Sequence, residues 1–257
     1  MAVIKDNQPI YKMYYGETPV YNIITRVSKE NIFTEKLGWS NEDEESLAVI
    51  CEYSEQKAKE FNPNNSSQSQ FFREEEQHPL VIAPMLDFSK VTNCYELFSM
   101  CVSLVAVPKY DFSKVTNARG MFNRCENLTT IPEFNFESLE DAGEMFFYAR
   151  NLKKLPYMNF SKVTNINGFF GYWDDIKTLT DVGGFGGLSI DWTDDEGLVR
   201  CPNLTLESAN NIIEHLADMS GKEEKMIKLH KNVALILPLD ILEKAVNKNW
   251  TILVGGE

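Results

Sequence analysis

The feature that most constrains the fold is a sequence repeat with a period of 24 residues. The heptapeptide DFSKVTN occupies residues 87–93 and again 111–117, while the related NFESLED and NFSKVTN occupy residues 135–141 and 159–165. A repeat of this length is one supersecondary unit, whose apolar side chains are buried only when neighbouring copies pack together. Two columns of the repeat contain only phenylalanine: Phe88, Phe112, Phe136 and Phe160 in one, and Phe98, Phe122, Phe146 and Phe170 in the other.

The first half of each copy has the alternation of a β-strand. In the third copy, apolar Phe134 and Phe136 alternate with polar residues at 133, 135 and 137. Because side chains of a strand alternate between its two faces, this two-residue period puts the apolar side chains on one face. The sequence therefore predicts a strand through residues 133–137 and through the equivalent residues of the other copies.

The second half of each copy has the spacing of a short helix. Apolar residues recur at i, i+3, i+4 and i+7, which is one stripe of a helix. An Asn or Asp precedes the stripe in every copy, and both residue types cap helix N-termini well. We therefore predict a unit of strand, turn and short helix. In the second copy the stripe is Ala118, Met121, Phe122 and Cys125; the capping column is Asn93, Asn117, Asp141 and Asn165.

The repeat, Leu-x-x-Leu/Ile-Pro-x-x-Asp-Phe-Ser-Lys-Val-Thr-Asn-x-x-x-Met-Phe-x-x-Cys, resembles the BspA-like leucine-rich repeats of bacterial surface proteins and some phage proteins. Residues 80–176 carry the resemblance, and residues 178–206 resemble degenerate last repeats of the same family. It implies an α/β fold, namely a leucine-rich-repeat solenoid of 24-residue units whose strands line the inner side. It also implies an extracellular surface or virion location.

The flanking segments predict caps on the two ends of this stack. Residues 40–61 have the pattern of a helix, and residues 62–70 that of a polar loop. After the repeats, the order is a helix, a strand, a helix and a strand. We therefore divide the chain into an N-terminal segment with a capping helix (1–70), a solenoid (71–205) and a C-terminal α-β-α-β cap (206–257). The predicted C-terminal elements span residues 206–219, 226–230, 238–247 and 250–254.

Charge and composition narrow the class of partner. The 257-residue chain has 25 Lys and Arg against 38 Asp and Glu, a formal charge of −13. Such a chain repels phosphate backbones and anionic lipids, so we expect neither nucleic acid nor a membrane surface as partner. No apolar run approaches the roughly 20 residues that span a bilayer, and the first residues do not have the pattern of a secretory signal. The oligomeric state stays open.

The sequence offers little for catalysis. Its five Cys lack a Cys-x-x-Cys pair, and its three His are scattered, so we expect no disulfide framework, structural metal site, cofactor or catalytic group. The glycine cluster 183–187 is interpreted as turns where the repeat breaks down, since no Lys-Ser/Thr follows it. An acidic run, Asp191 to Glu196, leaves open an enzyme with a metal site, although its spacing favours a solvated loop.

Exposed columns on the strand face are the predicted binding surface. One column, Lys109, Glu133 and Tyr157, varies in chemistry, and Tyr157 is the strongest candidate because aromatic residues dominate binding hot spots. A second column, Asp111, Asn135 and Asn159, either binds ligand or only bonds to nearby backbone in its turn. The sequence thus predicts a non-enzymatic module that binds a protein or a glycan. The alternatives are a structural or tail-associated protein of a phage virion and, third, the enzyme just described.

Overall fold

The computed structural model describes residues 3–5, 8–10, 14–15, 18–19, 56–73, 80–171 and 176–256 of the chain. Its first strands form two antiparallel hairpins, β1 with β2 and β3 with β4. The regular elements, in chain order, are β1 (Val3–Lys5), β2 (Gln8–Ile10), β3 (Tyr14–Tyr15), β4 (Thr18–Pro19), β5 (Lys154–Leu155), β6 (Met158–Asn159), β7 (Asp181–Val182), β8 (Phe185–Gly186), a 3-10 helix (Leu198–Arg200), α1 (Leu206–His215), β9 (Lys225–His230), α2 (Lys231–Ala234), α3 (Leu239–Asn247) and β10 (Trp250–Gly255).

The predicted leucine-rich-repeat solenoid of strand, turn and short-helix units is wrong. Within the described residues 80–171 there is no α-helix, and the regular strands there are the two-residue β5 and β6. Most of this region consists of turns and irregular backbone, joined by isolated parallel bridges. Within the described residues, the strands of more than three residues and the α-helices other than residues 56–60 lie after residue 205.

The predicted helix fails because its backbone groups bond to the neighbouring sequence copy. The N–H of Cys94 donates to the carbonyl of Asn117 at 2.8 Å, and that of Phe98 donates to Met121 at 2.9 Å. The intervening N–H of Leu97 returns to Cys94 at 3.1 Å, three residues back, so no i to i−4 ladder forms. Left-handed residues interrupt each such segment at equivalent positions: Glu96, Gly120, Glu144 and Gly168.

The column predicted to cap helices closes turns instead. The side-chain Oδ1 of Asn117 accepts a hydrogen bond from the N–H of Arg119 at 3.0 Å, and that of Asp141 accepts one from Gly143 at 2.9 Å. This is the Asx turn, in which Asn or Asp bonds to its own backbone two residues on. The same column carries parallel bridges between successive copies, from Asn93 through Asn117 and Asp141 to Asn165.

Replacing Asn117 with alanine is expected to lower the free energy of unfolding by about 1 kcal/mol, because the N–H of Arg119 loses its acceptor. The variant N117D keeps an Oδ1 acceptor, as Asp141 does at the equivalent position of the next copy. Because the bridge to Asp141 places the new carboxylate beside an existing one, we expect N117D to lose less free energy of unfolding than N117A when urea unfolding is measured at high salt, which screens the repulsion. An equal decrease in the free energy of unfolding of N117A and N117D would show that the acceptor oxygen does not stabilise this turn.

Residues 133–137, which were predicted to form a strand, show the expected pattern of burial but do not pair with a neighbouring strand. Phe134 and Phe136 are buried, while Glu133, Asn135 and Glu137 are exposed, so the predicted alternation is confirmed. The segment is nevertheless not a strand. Regular parallel pairing begins only one copy later, where β5 pairs with β7 and β6 with β8.

The core is a continuous cluster of buried side chains that runs from Phe72 to Trp250. Its centre is a stack of nearly parallel rings contributed by equivalent positions of successive copies. The ring of Phe122 lies 5.5 Å from that of Phe98 and 5.5 Å from that of Phe146, with interplanar angles of 5° and 10°. Phe72 extends the stack at one end, at 4.9 Å from Phe98. The phenylalanine column of the sequence therefore forms one aromatic stack.

The C-terminal elements agree with their predicted order. A helix, a strand, a helix and a strand occur as α1, β9, α3 and β10, with a short extra helix, α2, after β9. Strands β9 and β10 pair in parallel, and Trp192 forms a bridge to Ile227 of β9. At the other end, residues 56–60 are helical, and the rest of the predicted helix, 40–55, lies outside the described residues. None of the helices in the described ranges has the length and apolar character of a membrane span.

Candidate functional site

The variable column of predicted binding residues lies on the surface. Lys109, Glu133 and Tyr157 are exposed and occupy equivalent positions of successive copies. The buried residues that flank them stack between copies: Tyr110 on Phe134 with ring centroids 6.4 Å apart, followed by Phe112 on Phe136. The three side chains are therefore presented by neighbouring, closely packed backbone segments.

The polar column is largely engaged in its own turns. Oδ1 of Asp111 accepts from the N–H of Ser113 at 3.0 Å, and Oδ1 of Asn159 accepts from both the N–H and the hydroxyl of Ser161. Asn135 donates its amide to Oε1 of Glu137 at 3.1 Å. Asp111 and Asn159 thus have the backbone contacts of the turn-forming alternative, whereas the contact of Asn135 is to the exposed side chain of Glu137.

Tyr157 is held in a fixed orientation by residues that follow the repeat. Its ring centroid lies 5.0 Å from that of His215 on α1, at an interplanar angle of 64°. A Cβ atom on Gly186 would lie 1.8 Å from the Tyr157 hydroxyl oxygen, so the absence of a side chain there makes room for the ring. With 37% of its surface exposed, Tyr157 offers a rigid aromatic contact.

A groove of about 350 Å³ lies next to Tyr157. It is bounded by β5, β7 and the residue after each of them, Pro156 and Gly183, together with the first turns of α1 and Thr130. Gly183 connects the groove to the tyrosine, because a Cβ atom on Gly183 would lie 2.4 Å from the backbone nitrogen of Tyr157. This groove was not predicted from the sequence, because it is built from four separate segments of the chain.

The wall formed by α1 is fastened to β7 through Ser208. The buried hydroxyl of Ser208 donates to the carbonyl of Thr180 at 2.9 Å and accepts from the N–H of Val182 at 2.9 Å. Thr205 caps the helix, since its hydroxyl oxygen accepts from the N–H of Ser208 at 3.1 Å. On the opposite side, Lys154 and Asp181 form an ion pair at 3.3 Å across the two strands.

The glycine cluster at 183–187 is a site of close packing rather than only a set of turns. Phe185 and Gly186 form β8, which pairs with β6. Gly184 has a φ of 115°, and a Cβ atom there would lie 2.6 Å from Nδ1 of His215. The glycines thus let the neighbouring copy and helix α1 approach the backbone. The spacing of four glycines in five residues was the available signal for this contact.

The acidic run is engaged in structural contacts. Oδ1 of Asp191 accepts from the N–H of Met226 at 2.7 Å, and Asp195 pairs with Lys228 at 2.7 Å. Asp194 accepts from the N–H of Glu196 at 3.1 Å. In the part of the chain that the structure describes, no group of three or more His, Cys, Asp or Glu is placed to hold a metal ion.

Asp194 gives a pH-dependent prediction. Partial burial raises the pKa of its carboxyl above the ordinary value of 3.8, against the lowering effect of the N–H of Glu196. A carboxyl whose pKa is raised on folding destabilises the protein as the pH rises through its folded pKa. We therefore expect D194N to melt at a higher temperature than the parent at pH 7, with the difference shrinking as the pH falls through the raised folded pKa and absent below 3.8, the ordinary value. A lower melting temperature for D194N at pH 7 would contradict this.

The four cysteines in the described ranges are core residues. Cys94, Cys101, Cys125 and Cys201 are buried, and no disulfide joins any two of these four. The thiols of Cys101 and Cys125 donate to the carbonyls of Phe72 and Phe98, and burial alone raises the pKa of Cys94 well above its usual range. A buried thiol with a raised pKa is a poor nucleophile.

One family model matches part of the chain. Residues 66–181 match the family model described as "Mycoplasma protein of unknown function, DUF285". No curated protein and no solved structure matches the chain. The matched range covers the sequence repeats and ends at the first residue of β7, so most of the groove wall formed by β7 and α1 lies beyond it.

Proposed function

We propose that the protein is a non-enzymatic binding module, which recognises a protein or a glycan through the surface around Tyr157. The observation that carries the proposal is the juxtaposition of an exposed, immobilised tyrosine with an open groove and with the exposed column of Lys109 and Glu133. Rigid aromatic side chains supply much of the energy at binding surfaces, because little conformational entropy is lost when they are covered.

Two further features support a binding role. Lys109, Glu133 and Tyr157 combine a cation, an anion and an aromatic ring on equivalent positions, so their chemistry differs while their backbone setting is the same. The supporting residues beneath them are fully buried aromatic rings, such as Phe112 and Phe136. Side chains held on such a support keep their relative positions when a ligand arrives, which reduces the entropy lost on binding.

The test is a binding screen with variants of this surface. The protein is measured by biolayer interferometry against panels of cell-surface proteins and of purified oligosaccharides. We expect Y157A to weaken any interaction about tenfold or more, and K109A or E133A to weaken it less. The matched control is K114A, which removes an exposed lysine outside the two columns. No binding to the protein panel at about 100 µM, together with none to the oligosaccharide panel at about 1 mM, would overturn the proposal.

A further inference from the structure

The groove beside Tyr157 has the volume of a small-ligand site. Its volume of about 350 Å³ lies at the lower end of the range for ligand pockets, about 300–1,000 Å³. The walls come from β5, β7 and α1, and hydrogen bonds through Ser208 hold α1 against β7. An open, pre-formed groove of this size accommodates a short ligand or the end of a longer one.

The backbone of β7 is not available to bind an extended peptide. On the side that faces α1, the N–H of Val182 donates to the hydroxyl of Ser208. The carbonyl of Val182 accepts from the side-chain amide of Asn211 at 3.5 Å. On the other side, β7 pairs with β5. Peptides that add to a sheet edge depend on free main-chain donors and acceptors. A ligand in this groove is therefore recognised by side chains.

The side chains of the groove combine donors with acceptors. Lys154, Asn211 and Thr130 provide hydrogen-bond donors, and Asp181 and Glu207 provide carboxylate acceptors. Lys154 and Asp181 neutralise each other as an ion pair. Each sugar hydroxyl both donates and accepts, so it pairs with either kind of group, whereas an apolar ligand would leave these polar groups unpaired at a cost.

The charge of the groove disfavours an anionic ligand. Glu207 adds a negative charge to the neutral pair, and the chain as a whole has a formal charge of −13. The backbone of Tyr157 borders the groove at Gly183, while its ring lies over Gly186 and beside His215, outside the groove lining. From this chemistry we propose that the groove beside Tyr157 binds the end of a neutral oligosaccharide, an inference that rests on the binding function proposed above.

The experiment is saturation-transfer NMR on the full chain with defined probes. The neutral probes are cellobiose, maltose, lactose and diacetylchitobiose. The acidic probes are sialyllactose and a heparin disaccharide, and trilysine is the basic probe. We expect transfer to at least one neutral sugar, with a dissociation constant of about 1 mM or lower, and none to the acidic probes. E207Q and T130V should each weaken binding about fivefold to tenfold, since each removes one groove contact.

The control is E243Q, which removes the same charge from an exposed position on α3, outside the groove. Transfer to the acidic or basic probes alone would overturn the inference. So would neutral-sugar binding that is unchanged in both E207Q and T130V. If a protein from the screen binds and Y157A weakens it while no sugar binds, the inference fails and the binding function stands. If neither sugars nor proteins bind, both fail.

Discussion

Replacing Phe122 with alanine is expected to lower the free energy of unfolding by about 4 kcal/mol, the largest effect of any single change considered for this protein. The ring is fully buried and lies 5.5 Å from both Phe98 and Phe146. The change therefore removes a large apolar side chain, leaves a cavity and breaks two ring contacts. Because small proteins are stable by only about 5–15 kcal/mol, F122A should unfold in much less urea than the parent.

The variant F122L separates the loss of volume from the loss of stacking. Leucine fills most of the space of the ring. We therefore expect F122L to lower the free energy of unfolding by about 1–2 kcal/mol, because the ring contacts are missing and the packing is imperfect. Urea unfolding followed by circular dichroism measures both variants. A loss of less than about 1 kcal/mol for F122A would show that the stack is not the centre of the core.

Replacing Gly183 with alanine is expected to lower the free energy of unfolding by about 2–3 kcal/mol and to abolish ligand binding at the groove. The added Cβ atom would lie 2.4 Å from the backbone nitrogen of Tyr157 and 2.8 Å from the carbonyl carbon of Pro156. Both atoms belong to backbone, so no rotation of a side chain relieves the clash. The backbone segment that carries Tyr157 must move, and the groove next to it changes shape.

The control for this prediction is G221A. Gly221 has a φ of 73°, but a Cβ atom there would meet nothing within 4 Å. The variant G221A should therefore lower the free energy of unfolding by about 1 kcal/mol, from backbone strain alone, and leave ligand binding unchanged. Thermal unfolding and the sugar titration measure both variants. If G183A is as stable as the parent and binds equally well, the close approach at Gly183 does not shape the groove.

The phenylalanine column shows how much of this fold can be predicted from sequence periodicity alone. The sequence correctly indicated which side chains are buried, including Phe98, Phe122 and Phe146 in one column and the alternation around Phe134 and Phe136. It also indicated the C-terminal elements, because α1 and α3 have amphipathic helical patterns and their own start signals, Thr205 and Pro238. Burial follows from apolar chemistry and spacing, both of which are visible in the sequence.

The secondary structure of the repeats was predicted wrongly for a physical reason. The stripe of Ala118, Met121, Phe122 and Cys125 is buried as expected, yet it forms turns. A helical stripe and a series of i to i−3 turns bury similar positions, so spacing alone does not distinguish them. The N–H of Phe122 donates to Met145 at 2.9 Å, a contact that exists only when the next copy lies alongside.

The candidate site depended even more on tertiary structure. The sequence singled out Tyr157 as an aromatic residue in a variable column, and it is exposed. The groove next to it needed Thr130, β5, β7 and α1, which are separated along the chain and share no motif. Thus the sequence by itself determined which residues enter the core, since periodic apolar side chains must leave water. Only the tertiary structure decided which backbone groups pair and where a groove opens, because those contacts join residues that are distant in sequence.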